Sequence, residues 1–571
     1  MRRTRLLGLA LLILPLLTTA PASRADDASR YPRRWVYVMT NLQVNDVADK
    51  VIALVERSAK AGYNGIVLAD YKLNVLDRVI PDYFKNVARV QRAAHAAGVE
   101  IIPAIFPIGY SDGLLAHDPN LAEGLPVDRA PFVVRGRVAV LAPSSKSALR
   151  NGDLEESTGD RFRGFGFQDE PGGDTFADTK VAHHGRQSCR MAADGPSANR
   201  RLVQQVAVRP HACYRVSAWV KTEGLTTAGE FRLNIISAGA KGGRSLTFSE
   251  GGIDPTQDWK RVEVVFNSLD HDSVNLYAGL WGKGQGTLWI DELAVEELGL
   301  VNVLRRPGCP LTVTSDDGRT LYTEGRDFEP VADPKLGQIP WAGEYNTAHE
   351  PAAIRLTPRS RIRDAQRLRV SWYHPILTHG SQVMCCPSEP KTYELLRIQA
   401  RKVNDLLKPR TIWMSHDEIR VMNWCKACRD RRLTPGQILA DNAKRCVAIL
   451  KEVSPKAEII TWSDMFDPYH NAVKDYYLVN GTLEGSWEGL PRSVTIANWN
   501  SGKARQSLAF FAGRGHRQII AGYYDVDDLS GFTPWDTAAQ GVKGVDGFMY
   551  TTWSAKFKLL EEYGRAMQSA Q

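Results

Sequence analysis

Two acidic residues, Asp417 and Glu418, lie side by side at the end of the short apolar segment "TIWMSHDE". Adjacent carboxylates repel each other when both are ionised, so a buried strand gains no stability from such a pair. Carboxyl groups at the end of a strand are, however, well placed to bind hydroxyl groups and to transfer protons. We therefore expect Asp417 and Glu418 to bind hydroxyl groups or transfer protons at a functional site.

Other apolar segments of the chain end in similar residues, mostly aromatic rings and acids. Those that could form a site with the pair are Asp70, His416, Trp462, Asp464, Trp499, Tyr523, Asp525 and Trp553. Flat rings stack on the C–H faces of pyranose sugars, and a few polar groups fix a ligand's orientation. A single tryptophan in such a position is usually part of the core, but the whole set indicates a sugar-binding pocket.

These residues can meet only if the segments that carry them share one edge of a sheet. Strand and helix patterns alternate in two regions of the chain. The predicted strands are 34–40, 64–71, 99–106, 411–418, "EIITWSDMF", "SVTIANWN", "RQIIAGYY" and "VDGFMYTTW". Eight buried parallel strands alternating with helices predict an α/β fold, a (β/α)8 TIM barrel with its site at the carboxyl ends of the strands. An extra strand at 368–375 is expected to complete the third barrel unit.

The helical period disappears from about Asn151 to Leu298. Short alternating runs separated by Gly, Asp and Pro turns replace it, which is typical of an all-β sandwich. We therefore predict a jelly-roll module inserted after the third strand. The predicted divisions are 1–25 signal peptide, 30–145 first part of the barrel, 146–298 inserted module, 299–340 small β or linker segment, and 341–568 remainder of the barrel.

The first residues, "MRRTRLLGLALLILPLLTTAPASRA", combine a basic start, an apolar core and a small-residue exit. This pattern is typical of a secretory signal cut after Ala25, so we expect a soluble protein that is secreted or periplasmic. The apolar stretch is too short for a membrane span, and no later segment is apolar enough. The formal charge of +8 is spread along the chain, which argues against a nucleic-acid partner.

Eight cysteines in an exported chain suggest disulfides. Four of them lie near the acidic pair or in a loop before it: Cys385, Cys386, Cys425 and Cys428. They form either one or two disulfides or a four-thiolate zinc site, and the export signal favours disulfides. Cys189 and Cys213 lie in one segment and could pair, whereas Cys446 is expected to be a buried thiol.

The ordered set of strand ends resembles glycoside hydrolase family 20, the β-N-acetylhexosaminidases. The motifs are Asp-Glu after strand four, Trp-x-Asp on strand five, "NWN" on strand six, "YYD" on strand seven and a Trp closing strand eight. The resemblance covers about 405–560 and, more loosely, 30–110. It implies an O-glycosyl hydrolase in which the 2-acetamido oxygen of the substrate is the nucleophile, an exception to the two-carboxylate scheme.

The resemblance also implies roles for single residues. Asp417 would orient the acetamido group and stabilise its positive charge, and Glu418 would be the general acid and then the general base. Tyr523 would donate a hydrogen bond to the acetamido oxygen. Pocket walls would come from Trp462, Trp499 and Trp553.

Several positions depart from the family pattern. The chain has "YVMTNLQ" where strand one usually carries an Arg that binds sugar hydroxyls, and Ser554 and Ala555 stand where a Glu usually follows the last Trp. His416 replaces the usual Gly before the acidic pair, and the small domain that commonly precedes the barrel is missing. These departures put the identity of the bound sugar in doubt.

The inserted module resembles carbohydrate-binding modules of the family 4/9 type, because it opens with "NGDLE" and closes with "LWIDEL". Trp281 and Tyr277 are candidate stacking residues of this module, or else part of its core. Oxygens for a structural calcium ion could come from Asn151, Asp153, Glu155 and Asp291. No cofactor is expected for catalysis.

The leading hypothesis is an exported glycoside hydrolase that acts on an oligo- or polysaccharide, at 2-acetamido sugars. One alternative is a retaining glycosidase whose nucleophile is Asp464 or Glu484. The other is a non-catalytic glycan-binding protein that has kept the pocket but lost turnover.

Overall fold

The computed structural model describes residues 30–142, 149–195, 197–239, 243–248 and 251–570. The predicted signal peptide, residues 1–25, lies outside the described residues. Among the described helices, none is both long and apolar enough to cross a membrane.

Eight parallel strands close into a barrel, which confirms the predicted fold class. In chain order they are Arg33–Thr40, Gly65–Asp70, Glu100–Ile105, Thr411–Met414, Glu458–Trp462, Val494–Asn498, Gln518–Ala521 and Val545–Thr551. Each strand pairs with the next, and the last pairs with the first through contacts such as Val36 with Tyr550. The strand ends that carry the candidate residues therefore meet at one rim.

Within the part of the chain that the structure describes, seven longer helices cover the barrel. They are Asn45–Lys60, Pro81–Ala97, Pro390–Leu407, Pro435–Val453, Ala504–Gly513, Thr533–Ala539 and Leu560–Ser569. The helix after strand four begins with a capping box formed by Thr434 and Gln437 and has Pro435 at its first position. After strand five, residues 463–493 contain two short 3-10 turns, Asp464–Phe466 and Ser486–Gly489, and a short strand, Leu478–Val479, in place of the usual helix.

The barrel interior is filled by aromatic as well as aliphatic side chains. Trp35, Trp413 and Trp462 are almost fully buried there with smaller residues such as Val67 and Ala104. Large rings next to small side chains fill the interior in layers, as the barrel requires. Trp413 therefore belongs to the core, whereas Trp462 lies higher, at the base of the rim cavity.

The inserted module is a sandwich of a five-stranded and a four-stranded antiparallel sheet. Its longer strands are Asn199–Ala207, Cys213–Glu223, Phe231–Ser237, Gln257–Asn267, Ser273–Trp281 and Thr287–Glu297. Alternate residues of these strands are buried between the sheets, as in Phe231, Leu233 and Ile235. This is the predicted all-β insertion between strands three and four of the barrel.

A separate six-stranded sheet differs from the predicted domain boundaries. It joins Leu125–Arg135 and Val138–Leu141 to Thr312–Ser315, Leu321–Tyr322, Ile354–Arg355 and Arg367–His374. The segments 125–141 and 354–374 fall within the predicted barrel ranges 30–145 and 341–568, but they form one sheet with strands of the 299–340 segment, one of which, Thr312–Ser315, pairs with Arg367–His374. The strand expected at 368–375 is therefore part of this sheet and does not complete the third barrel unit.

The sandwich contacts the barrel next to the rim that carries the acidic pair. Arg244 of the module donates from Nε to the carbonyl oxygen of Tyr477 at 2.6 Å and from Nη2 to that of Val479 at 2.9 Å. The ring of Phe248 lies 4.6 Å from that of Tyr477, measured between centroids. The module is thus joined to the loop after the fifth barrel strand.

Candidate active site

The carboxyl ends of the barrel strands surround a cavity of about 590 Å³. Its lining includes both acids of the pair, Asp417 and Glu418, and three predicted tryptophans, Trp462, Trp499 and Trp553. A cavity of this size and aromatic lining is typical of a small-molecule or sugar site. The cavity therefore brings together residues from strands four, five, six and eight.

The acidic pair is positioned by an irregular turn that follows strand four. Glu418 has φ 50°, a left-handed conformation that costs an L residue about 1 kcal/mol or more. Its backbone N–H donates to Asp464 Oδ2 at 2.9 Å. On the other side, a Cβ on Gly109 would lie 2.1 Å from the Asp417 carbonyl oxygen, so only glycine fits there. These contacts hold both acids at the cavity.

Both carboxylate oxygens of Glu418 have protein partners. Arg420 Nη2 lies 2.7 Å from Oε1, and the Tyr110 hydroxyl donates to Oε2. Gln382 connects the same residues, because its Nε2 donates to the Glu418 carbonyl oxygen at 3.0 Å and its Oε1 accepts from Arg420. The orientation of Glu418 is therefore fixed by three loops before any ligand binds.

The carboxyl groups of Asp417 and Glu418 line the cavity, and that of Asp464 lies next to them. Burial and the negative charges of Asp464 and Glu418 raise the pKa of Asp417 to about 8. Burial also raises the pKa of Asp464 to about 7, although Asp464 accepts hydrogen bonds from Asn471 Nδ2 at 2.9 Å and Trp499 Nε1 at 3.2 Å. The cluster thus holds protons at neutral pH that isolated carboxyl groups would have lost.

Aromatic rings form one wall of the cavity. The Tyr37 ring lies 5.5 Å from Trp462 and 5.3 Å from Trp553, and Trp499 is stacked on Tyr524 at 6.1 Å between centroids. The Tyr524 hydroxyl is buried and has no hydrogen-bond partner among the described residues. An unpaired buried hydroxyl is costly, so this group is available to a ligand.

Tyr524 lines the cavity, whereas the predicted Tyr523 does not. Tyr523 is fully buried, its ring stacks on Tyr550 at 4.0 Å, and its hydroxyl donates to the Val526 carbonyl oxygen at 2.9 Å. Tyr524 has φ 55°, and this left-handed turn directs it to the cavity. Tyr524 therefore replaces Tyr523 as the candidate residue.

Three other predicted residues lie at the rim and are engaged by other groups of the protein. His416 is buried, with Nε2 3.0 Å from Asn442 Oδ1, and burial lowers its pKa to about 4. Asp525 accepts from the backbone N–H of Trp553 at 2.9 Å and so holds the loop that carries this ring. Asp70 lines the cavity, but its oxygens accept from the N–H groups of Leu42 and Lys72, both at 2.9 Å.

The alternative nucleophiles are also poorly placed. Glu484 is exposed on the loop after strand five and does not line the cavity. Asp464 is fully buried, and three N–H donors already bind its two oxygens.

Four important residues were absent from the sequence-based set: Tyr37, Tyr110, Gln382 and Arg420. Arg420 follows Glu418 by two positions in "HDEIR", so its charge next to the pair was a usable signal. Tyr110 ends the segment "FPIGY" after strand three, where the insertion interrupts the repeat. Gln382 lies beyond the insertion in an irregular loop, and nothing in its local pattern indicates its position.

A second cavity of about 410 Å³ lies between the module and the barrel. The module contributes Arg232 and Trp281, whereas Arg420, Tyr477 and His379 come from the loops of the barrel. His379 lines both cavities, so the two adjoin. Tyr277, the other stacking candidate, does not line the second cavity.

The four residues predicted to hold calcium have other contacts. Asn151 Oδ1 accepts from the N–H of Glu156 at 2.9 Å, and Asp291 Oδ2 accepts from that of His183 at 2.8 Å. Glu155 accepts from the N–H of Arg186 at 2.7 Å, and Asp153 is exposed. Three of the four side chains thus stabilise loops by accepting hydrogen bonds from backbone N–H groups. Calcium binding stays a prediction.

The predicted disulfides are wrong for this structure, since all eight cysteines are buried free thiols. Cys386 Sγ lies 3.5 Å from Cys425 Sγ and 3.6 Å from Cys428 Sγ, far beyond the S–S bond length of about 2.05 Å. Cys189 and Cys213 lie on different strands and are not bonded to each other.

No protein-family model matches the sequence, and no curated protein matches it either. Among solved structures, the chain is similar to a chitobiase from Flavobacterium johnsoniae, with 8% identity over 92% of this chain and 45% of that chain and a TM-score of 0.35. A β-N-acetylhexosaminidase structure has 9% identity over 95% of this chain and 71% of that chain, with a TM-score of 0.37. A family 4 carbohydrate-binding module has 12% identity over 26% of this chain and all of that chain, with a TM-score of 0.18. This chain therefore spans under half the length of the chitobiase.

Proposed function

We propose that this protein is a glycoside hydrolase that cleaves glycosidic bonds at 2-acetamido sugars, with the acetamido group of the substrate as nucleophile. The observation that carries the proposal is the grouping of Asp417, Glu418 and the unpaired Tyr524 hydroxyl in one aromatic-walled cavity. Aromatic faces bind the sugar ring, while the three polar groups can address different substituents of that ring.

Glu418 is the proposed general acid and base. It donates a proton to the leaving oxygen while the acetamido oxygen attacks the anomeric carbon, and it later removes a proton from the attacking water. Arg420 and Tyr110 keep the carboxyl group in one orientation, so little reorganisation is needed during the reaction. Net retention of configuration follows from the two successive displacements.

Asp417 is the proposed partner of the acetamido group. Its carboxylate accepts from the acetamido N–H and stabilises the positive charge of the cyclised oxazolinium intermediate. Burial makes this interaction stronger than it would be in water. The Tyr524 hydroxyl supplies the hydrogen bond that the resemblance first assigned to Tyr523.

A protein nucleophile is less well supported. The oxygens of Asp464 are already bound by three N–H donors, and Glu484 is exposed away from the cavity. Attack on an anomeric carbon in the cavity would require Asp464 to lose hydrogen bonds and Glu484 to move toward the cavity. The substrate-assisted route needs no such change.

The adjoining cavity supports an oligo- or polysaccharide as the substrate. A chain that leaves the barrel cavity past His379 would meet Arg232 and Trp281 of the module. We place this activity outside the cytoplasm because of the signal-like pattern in residues 1–25.

The test uses two aryl glycosides of the same sugar that differ only in a 2-acetamido or a 2-hydroxyl group. We expect turnover of the acetamido compound only, with inhibition by a thiazoline that mimics the cyclised intermediate. Glu418→Gln should lower kcat/KM on an unactivated substrate by roughly 10²- to 10⁴-fold and should lower it far less when the leaving group needs no proton.

Equal turnover of the two glycosides would contradict the substrate-assisted route, as would a trapped covalent adduct on a protein carboxylate. Tight sugar binding without turnover of any glycan would contradict hydrolysis itself and leave a binding protein.

A further inference from the structure

A cluster of three thiols and one carboxyl group lies behind the candidate active site. Its members are Cys386, Cys425, Cys428 and Glu123, all of which are at most 2% exposed. One ligand atom from each residue lies within 4.8 Å of those of the other three. This cluster is separate from the acidic pair and plays no part in the chemistry proposed above.

The distances within the cluster fit a tetrahedral zinc ion and not a disulfide. Zn–S bonds of 2.3 Å and Zn–O bonds of 2.0 Å place two sulfurs about 3.8 Å apart and a sulfur and an oxygen about 3.5 Å apart. The observed Sγ–Sγ distances are 3.5 and 3.6 Å for Cys386 with Cys425 and Cys428. Glu123 Oε2 lies 3.5 Å from the Sγ atoms of both Cys425 and Cys428.

The surroundings orient the four groups. Glu123 Oε1 accepts from the backbone N–H of Trp424 at 2.8 Å and of Cys425 at 3.1 Å, which leaves Oε2 facing the sulfurs. Such hydrogen bonds to a ligand are the outer support that metal sites require. Cys425-x-x-Cys428 also has the spacing of a zinc-binding pair.

We propose that Cys386, Cys425, Cys428 and Glu123 bind one structural zinc ion that ties together the loops of the active site. Soft thiolates and a closed set of four ligands select zinc and leave no position for a substrate. The set differs from the four-cysteine alternative considered from sequence, because Glu123 replaces Cys385. Cys385 instead donates its N–H to Ser111 Oγ at 3.0 Å.

The ion would join three segments that each carry an active-site contact. Glu123 lies on the loop that carries Tyr110, and Cys386 on the loop that carries Gln382. Cys425 and Cys428 directly follow the turn with Glu418 and Arg420. Tyr110, Gln382 and Arg420 are the residues that orient Glu418, so loss of the ion should loosen that orientation.

The first test is metal analysis of the purified full chain with mass spectrometry of the unreduced, denatured protein. We expect one zinc per chain, eight thiols after zinc removal, and a tetrahedral thiolate spectrum when Co²⁺ replaces zinc. Crosslinks among Cys386, Cys425 and Cys428, or eight free thiols with substoichiometric metal, would overturn the proposal. Neither measurement depends on glycosidase activity, so its outcome is independent of the proposed function.

Variants assign the ligands. Cys428→Ser should lose zinc and lower the thermal unfolding temperature, whereas Cys446→Ser, at a buried thiol outside the cluster, should keep the metal. If Cys428→Ser does not fold, zinc-chelator titration of the wild type gives the same information, because removal of the ion should lower its unfolding temperature. An unchanged unfolding temperature after removal would overturn the structural role.

Cys309 is the one further thiol that interacts with Cys425, so the fourth ligand needs its own test. Glu123→Gln should weaken zinc binding, and Cys309→Ser should leave its stoichiometry unchanged. The opposite result, with zinc lost from Cys309→Ser and kept by Glu123→Gln, would overturn the assignment of Glu123.

Discussion

Asp417 must be ionised to stabilise a positive intermediate, yet burial, Asp464 and Glu418 raise its pKa to about 8. We therefore expect kcat/KM for an acetamido glycoside to rise with pH until Asp417 loses its proton in the free enzyme. Asp464→Asn removes a negative neighbour and so lowers the pKa of Asp417. The ascending limb of the profile should then move to lower pH by roughly one unit.

The relevant measurement is the pH at which the ascending limb of kcat/KM lies. The size of kcat/KM is not decisive, because Asp464 also accepts a hydrogen bond from the Glu418 N–H. Asp546→Asn is the matched control. Its pKa is raised to about 6, mainly by burial, but it lies at the amino end of the last barrel strand, far from the rim. A limb that stays in place in Asp464→Asn, or that moves equally in both variants, would contradict the role of Asp417.

Adjacent tyrosines provide a second comparison between single residues. Tyr524→Phe removes a hydroxyl without a described partner, so we expect little change in stability and about a tenfold lower kcat/KM, the worth of one hydrogen bond. Tyr523→Phe removes the hydrogen bond to the Val526 carbonyl oxygen, so it should lower the unfolding temperature and leave kcat/KM nearly unchanged. Measurements of kcat/KM and of the unfolding temperature of both variants test the choice of Tyr524 over Tyr523. Equal kinetic losses would refute the reassignment.

The sequence indicated the acidic pair and the rim tryptophans as candidates because each lies at or shortly after the end of an apolar strand. It could not separate Tyr523 from Tyr524, since the choice depends on left-handed backbone angles at Tyr524 and Asp525. The alternation of side chains between the two faces of a strand stops at such a turn. A single sequence does not show where these backbone angles occur. The contacts of Tyr110 with Glu418 were equally hidden, because they join segments on either side of the insertion.

The eight barrel strands were predictable as elements because each is a continuous apolar run bounded by turn residues. The six-stranded sheet was not, because its central pair joins Leu125–Arg135 to Arg367–His374 across the whole module. Antiparallel pairing between distant segments leaves no local pattern. The insertion was therefore visible from its composition, whereas the six-stranded sheet on either side of it in the chain was not.

The position of the module next to the rim predicts an effect that depends on substrate length. Trp281→Ala removes a ring from the second cavity, so KM for long oligosaccharides should rise by roughly three- to tenfold, the worth of one stacking contact. A small aryl glycoside that occupies only the barrel cavity should be unaffected. Trp341→Ala, at a 71% exposed tryptophan that lines neither cavity, is the control. Equal effects on short and long substrates would contradict a shared binding path.

The turn that carries Glu418 is linked by a series of contacts to the inserted module. Arg420 lies over the Tyr477 ring at 5.0 Å, and Tyr477 in turn contacts Phe248 of the module. Cys425 and Cys428 of the cysteine cluster follow the same turn in the chain. The acids are thus kept close together by the rest of the fold, although their mutual repulsion opposes this arrangement.

The free energy of unfolding should therefore depend on pH, and this dependence should show how much the buried acidic cluster destabilises the fold. Because the pKa of Asp417 is raised from 3.8 to about 8, the folded state binds more protons than the unfolded state between these values. Its contribution to stability is full below pH 3.8 and is lost as pH rises toward 8. Asp417→Asn cannot ionise, so it should unfold a few degrees above the wild type at pH 8, and the difference should shrink as pH falls toward 4. Asp327→Asn should instead unfold below the wild type by a nearly constant margin from pH 8 to pH 4, because the hydrogen bond from Arg361 holds the pKa of Asp327 well below its usual range and its stabilising charge is present throughout this interval. Thermal unfolding at matched scan rates measures both, and an Asp417→Asn protein less stable than the wild type at pH 8 would show that the acidic cluster does not strain the fold.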